Sequence, residues 1–115
     1  MKVAVIGSRT CDISLEYVIE QIPPECSMII SGGAKGIDRL AADASALLGC
    51  ELCEILPDYE TYGRRAPLVR NVEIIEQADT VLAFWDMSSP GTRHAIDQCL
   101  KRGIPVKLIP ISSLK

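Results

Sequence analysis

Between Ser31 and Asp38 the chain reads SGGAKGID, three glycines and a lysine directly ahead of a segment with helical spacing. Glycine lacks a Cβ, so such a loop takes positive φ freely and lets backbone N–H groups approach a ligand closely. A helix beginning behind it adds partial positive charge, which suits a phosphate or a carboxylate. Two other stretches repeat the theme. Gly7-Ser8-Arg9 follows an apolar run, and Ser89-Pro90-Gly91-Thr92 opens a helical segment just beyond Trp85. Arg9 and Lys35 carry full charges, and a charge-assisted hydrogen bond is worth roughly 1.5–3 kcal/mol. Thr92 adds a hydroxyl, and Trp85 offers a flat face to a base. Ser8 and Ser89 read as cap or turn residues rather than nucleophiles.

Established phosphate signatures fit poorly. G-x-x-x-x-G-K-[ST] is absent, which excludes a P-loop NTPase, and Ser31-x-Gly33-x-x-Gly36 begins with serine after the second strand, which is no dinucleotide fingerprint. Cys50 and Cys53 have C-x-x-C spacing, but they lie between a helix end and a strand, where no dipole lowers a thiol pKa. Cys11, Cys26 and Cys99 offer no matching zinc pair, so the thiols read as core residues. His94, in the first turn of the last helix, reads as a surface histidine.

The elements that must position these residues are legible from periodicity. Lys2–Ile6, Ser27–Ile30, Leu52–Leu56, Thr80–Trp85 and Val106–Ile109 read as strands, several of them nearly continuous in apolar character. Helical stripes alternate with them: Leu15, Val18, Ile19 and Ile22, stopped by Pro23-Pro24; then Ile37, Leu40, Ala41, Ala44 and Leu48, ended by Gly49. A third stripe runs through Leu68, Val72 and Ile75, with Arg70, Asn71, Glu73 and Glu76 off that face. A fourth has Ala95, Ile96, Cys99 and Leu100, closed by Gly103. The expectation is one α/β domain over residues 1–115. It would be a three-layer Rossmann-like fold: a five-stranded, mainly parallel sheet in the order 3-2-1-4-5 with helices on both faces. All three unusual loops then converge on the carboxyl edge of the sheet, where such folds bind ligands.

Composition narrows the classes. The chain has 115 residues, 48% hydrophobic, and its fifteen acidic against twelve basic side chains leave a net charge of −3. That balance is not the footprint of a phosphate-backbone binder, which usually shows a basic patch on a basic domain. No apolar run approaches the ~18–20 residues of a membrane span. The N-terminal apolar stretch is shorter than a signal peptide needs, and five scattered cysteines suit a reducing compartment. A cytoplasmic location is expected.

GSR after the first strand, SGGAKGID after the second, RN on the third helix and SSPGT before the fourth resemble the SLOG superfamily of Rossmann-like proteins. That superfamily includes the Smf/DprA DNA-processing proteins and the LOG nucleotide phosphoribohydrolases; the stretch from Tyr62 onward looks closest to its small YspA-like branch. The resemblance covers nearly the whole chain and implies a nucleotide-derived ligand. The implied ligand-binding set is Gly7, Ser8, Arg9, Ser31, Gly32, Gly33, Lys35, Gly36, Arg70, Asn71, Trp85, Ser89, Gly91 and Thr92, with no catalytic residue, metal or cofactor. LOG-type enzymes carry P-G-G-x-G-T-x-x-E; here Gly91-Thr92 match G-T, Arg70 matches the arginine on the preceding helix, and Ala95 stands where the glutamate would be. An alanine cannot act as acid or base, which leaves Asp38, Asp58 or Asp86 as substitutes outside any motif. The main expectation is a binding domain for a nucleotide-derived small molecule, with nucleic acid and membrane not expected as partners. N-glycosidic hydrolysis of LOG type and single-stranded DNA binding of Smf/DprA type, through Arg9, Lys35, Arg64, Arg65 and Arg70, are the alternatives. The polar segment Pro57–Pro67 leaves the third strand on the same edge. Its Tyr62 and Arg64 are expected at a site rim or at the interface of a homodimer or larger assembly.

Overall fold

The structure, a computed structural model, describes residues 1–9 and 12–112; Cys11 lies outside them. Short β-branched runs bounded by turn residues form five strands: β1 (Lys2–Gly7), β2 (Met28–Ser31), β3 (Glu51–Glu54), β4 (Thr80–Trp85) and β5 (Val106–Pro110). Every pairing is parallel and the order is β3-β2-β1-β4-β5, as the alternation of elements implies. The crossovers are α1 (Leu15–Gln21), α2 (Ile37–Leu48), α4 (Ala66–Gln77) and α5 (Pro90–Arg102). Between β3 and α4 lie a short helix, α3 (Tyr59–Tyr62), and a 3-10 turn over Gly63–Arg65, where the sequence suggests only loop. Asp58 nucleates that helix by accepting the Thr61 N–H at 3.1 Å.

The pleat sorts each strand between two cores. Val3 and Val5 of β1 pack with Val18 of α1 and with Ile37, Ala41 and Ala44 of α2. Ala4 and Ile6 face the other way, against Ile74 and Ile75 of α4 and Ala95, Ile96 and Cys99 of α5. β3 ends two residues earlier than its composition suggests. The Ile55 N–H still bonds the Ser31 carbonyl at 2.9 Å, but Leu56 is 66% exposed and leads away from the sheet.

The stripe of α4 is displaced from the expected one. Leu68 is 37% exposed, whereas Ala66, Arg70 and Ile74 are buried, four residues apart on one face. Arg70, expected off the apolar face, is therefore inside, because neighbouring loops supply acceptors for its charge. Leu100 of α5 is likewise outside, at 68% exposure, and Thr92 takes the buried face with Ala95 and Ile96.

β1 sits where the strand order reverses: the chain winds from it toward β2 and β3 on one side and toward β4 and β5 on the other. The loops after β1 and β4 diverge there, which opens a crevice at their carboxyl ends. Gly36 lets the loop after β2 pack against the loop after β1. Its φ is +69° and ψ −122°, and a Cβ there would run into the carbonyl oxygens of Ser8, at 2.7 Å, and Arg9.

Gly36→Ala should cost about 2–6 kcal/mol, the sum of backbone strain of about 1–3 and overpacking of about 1–3 kcal/mol. Gly103→Ala is the control: φ is again positive (+67°) but nothing lies within 4 Å of a Cβ, so only about 1 kcal/mol of left-handed strain is expected. Urea unfolding of both variants measures the difference.

Candidate functional site

The start of α5 is assembled around Asp86. Its Oδ1 accepts the backbone N–H of Ser88 (3.0 Å) and of Ser89 (2.7 Å), and its Oδ2 accepts the Ser89 hydroxyl at 2.9 Å. The Ser88 and Ser89 N–H bonds hold the carboxyl at about 2, well below its ordinary 3.8. Trp85 Nε1 donates to the Ser89 carbonyl at 3.0 Å, which also accepts the Arg93 N–H. Across the crevice the Ser8 and Ser89 hydroxyls share a hydrogen bond of 3.0 Å, joining the loops after β1 and β4. With its hydroxyl engaged in this way, Ser89 does not cap the helix it precedes. Pro90, at the first helical position, has no N–H to satisfy, and with no capping side chain the first-turn N–H groups of Gly91 and Thr92 have no acceptor among the described residues. Thr92 is 6% exposed, and its hydroxyl makes no hydrogen bond there either.

Opposite lies Arg70, 5% exposed. One guanidinium nitrogen, Nη1, donates to the Gly32 carbonyl at 2.7 Å and to the Ile55 carbonyl at 3.4 Å, and Nε donates to Asn71 Oδ1 at 3.0 Å. Burial pushes its pKa below the ordinary value, the Asp38 carboxylate opposes that, and the like charge of Arg9 adds to it. The close approach also explains Gly32. A Cβ there would collide with the guanidinium, whose Cζ would be 2.8 Å away, and with Asp38 Oδ2 at 2.9 Å.

Two cavities meet at Arg9, Ala34 and Arg70. The first, about 340 Å³, lies between the ends of β1 and β4; Ile6 and Ile74 form its apolar floor, and Ser8, Arg9, Thr92 and Asp38 its polar walls. Of the expected residues it gathers Gly7, Ser8, Arg9, Arg70, Asn71, Ser89, Gly91 and Thr92. The second, also about 340 Å³, gathers Gly32, Gly33 and Lys35 beside Arg9 and Arg70. Ser31, Gly36 and Trp85 line neither. Ser31 is fully buried with its hydroxyl unpartnered, Gly36 shapes the backbone, and the Trp85 ring braces the Ser89 loop while packing on the α4–α5 core. Tyr62 and Arg64 are exposed and line neither cavity. Tyr59, Leu56 and Pro57 do line the second, and sequence periodicity gave no signal for them.

Among the three carboxylates considered in place of a LOG-type glutamate, only Asp38 lines a cavity, and its Oδ2 accepts the Ala34 N–H at 3.1 Å. Asp58 caps α3, Asp86 is held ionised in its loop, and Ala95 is fully buried in the core. The only ion pair among the described residues is Arg102–Glu76 at 3.4 Å, remote from the crevice lining, so Arg9 and Lys35 have no carboxylate partner there. Cys50 Sγ donates to the Cys26 carbonyl at 3.4 Å, and no group of acidic, cysteine or histidine side chains among the described residues could hold a metal. His94 is half-buried, its Nδ1 unpartnered, rather than a plain surface histidine. No described helix is long and apolar enough to cross a membrane.

Fold and crevice define a Rossmann-like domain with a ligand-sized cleft at its topological switch point. A model of the DNA recombination-mediator protein A family matches residues 1–58, and the chain belongs to that family. It is 35% identical to the Gene 61 protein of Mycobacterium phage D29 over 85 residues, 69% of this chain and 68% of that protein. The X-ray structure of DNA processing protein A (DprA) from Streptococcus pneumoniae superposes on 95% of the chain with a TM-score of 0.78 and 25% identity. DNA processing protein A from Helicobacter pylori, whose structure describes that protein's single-stranded DNA binding mode, shares the fold over 96% of the chain (TM-score 0.74, 21% identity). The chain spans 50% and 65% of those two structures.

The Asp86 carboxylate gives the α5 start a pH dependence. A depressed acid stabilises the fold above its unfolded value, here 3.8, and the contribution is lost as pH falls toward about 2. Wild type should therefore unfold at a higher temperature than Asp86→Asn at neutral pH, and the gap should close between about pH 4 and about pH 2. Thermal unfolding at several pH values measures this; a constant gap would mean that the carboxylate charge is not its source.

Proposed function

We propose that this domain binds single-stranded nucleic acid at the carboxyl edge of its sheet, with a backbone phosphate seated at the start of α5. The observation that carries the reading is the pair of N–H groups of Gly91 and Thr92, without acceptors among the described residues, at a cleft that the Thr92 side chain and Arg9 also line. Uncapped N–H groups at a helix start attract anions, and the partial charge of α5 reinforces them. The apolar floor of Ile6 and Ile74 suits a sugar or base face. Membership of the DNA recombination-mediator family, and the single-stranded DNA described for the Helicobacter pylori protein, favour a strand over a free nucleotide.

The net charge of −3 counts against this reading only as a sum. Three cations, Arg9, Lys35 and Arg70, meet at the cleft against two carboxylates, Asp38 and Glu54. A nucleotide-derived small molecule is the smaller form of the same ligand, and the cleft volume sits at the low end of ordinary ligand pockets, about 300–1,000 Å³. The small YspA-like branch, a cytoplasmic location and a homodimer or larger assembly are parts of the proposal. Free thiols at Cys26, Cys50, Cys53 and Cys99 suit a reducing compartment, and each edge strand exposes a leucine, Leu52 and Leu108, for association.

Fluorescence anisotropy with a labelled single strand tests it. Binding should be strongest near ~50 mM salt and weaken steeply as salt rises, through counterion release. Arg9→Ala should weaken binding evenly across sequences and reduce the log–log salt slope by about 0.7, one phosphate contact on a single strand. No binding at ~50 mM salt overturns the proposal.

A further inference from the structure

The second cavity has a composition of its own. One side presents three cations, Arg9, Lys35 and Arg70, and two carboxylates flank the floor, Glu54 beside Gly33 and Asp38 beside Gly32. The other side is Leu56, Pro57 and Tyr59, and its floor is the backbone of Gly32, Gly33 and Ala34. Leu56 and Tyr59 are 66% and 57% exposed, an apolar patch that the fold leaves uncovered beside a cluster of positive charge. Tyr59 lines the same cavity as Arg9, Lys35 and Arg70, so aromatic and cationic side chains share one groove.

The backbone that carries the ring is held in place. α3, which begins at Tyr59, is fixed at one end by the Asp58 carboxylate on the Thr61 N–H. At the other end the Gly63 N–H bonds the Tyr59 carbonyl. A half-exposed aromatic on a capped turn, facing cations across a groove, is the arrangement that takes a base on its π-face and the attached phosphate on the charges.

We infer that the second cavity is an adjoining nucleotide subsite, in which Tyr59 stacks a base while Lys35 and Arg9 hold its phosphate. The inference rests on the single-strand reading above and deepens it. Arg9, common to both cavities, lies between consecutive phosphates, so the edge selects a strand of at least two nucleotides over a mononucleotide.

Thymidine oligonucleotides of one to six residues, with anisotropy and competition at ~50 mM salt, test this. Wild-type affinity should rise steeply from one nucleotide to two or three. Tyr59→Ala should lower oligonucleotide affinity about tenfold or more, as loss of one base–aromatic stack does, and should leave mononucleotide competition unchanged. Tyr59→Phe should bind like wild type, because stacking needs the ring and not the hydroxyl; it also shows that a changed residue 59 is tolerated. Tyr59→Ala binding oligonucleotides within twofold of wild type overturns the inference while sparing the strand reading. Tyr59→Phe losing as much as Tyr59→Ala overturns the stacking role. Wild type that binds no oligonucleotide of any length overturns both.

Discussion

The carboxyl edge of this domain depends on one buried guanidinium. Arg70 reaches from α4 to carbonyls in the loop after β2 and at the end of β3, at 2.7 and 3.4 Å, and so ties the helix to the ends of two paired strands. A charge taken out of water costs several kcal/mol unless hydrogen bonds and an opposite charge offset it. Gly32, Ile55, Asn71 and Asp38 do so here. The consequences spread along the edge. Residue 32 must lack a Cβ, Ala34 is held by Asp38, and both cavities form around the same arginine. Arg70 is therefore first a pin, and its charge reaches a ligand as part of the wall.

The same economy governs the loop after β4. Asp86 accepts two N–H groups and a hydroxyl, Trp85 braces the Ser89 carbonyl, and Ser89 reaches across to Ser8. Each bond fixes the loop, and together they withdraw the residue that would otherwise cap α5. That the N–H groups of Gly91 and Thr92 have no acceptor among the described residues is a product of that arrangement. A capped helix start would be satisfied internally and would have little left for an anion.

Charge in this protein is a matter of distance. Fields from exposed groups decay over about 8 Å at physiological salt, so a surplus of three acidic side chains says little about a groove where Arg9, Lys35 and Arg70 converge. The expectation of a small-molecule partner over nucleic acid came from the sum. The family match and the placement of the cations favour the alternative.

The alternation of short apolar runs and helical stripes determined the element order, the parallel sheet and the reversal at β1, because those follow from local periodicity and the handedness of crossovers. It also marked the loops at Gly7–Arg9, Ser31–Gly36 and Ser89–Thr92, since glycine, serine and proline ahead of a helix are local signals. The sequence could not show the direction of Arg70, whose partner Gly32 is 38 residues away, or the Ser8–Ser89 bond across 81. Nor could it show that Trp85 is a brace, that Gly36 answers to a β1-loop carbonyl, or that Tyr59 rather than Tyr62 turns to the groove. Those roles arise where segments distant in the chain pack together. Burial and hydrogen-bond partners are properties of that packing, and no local period encodes them.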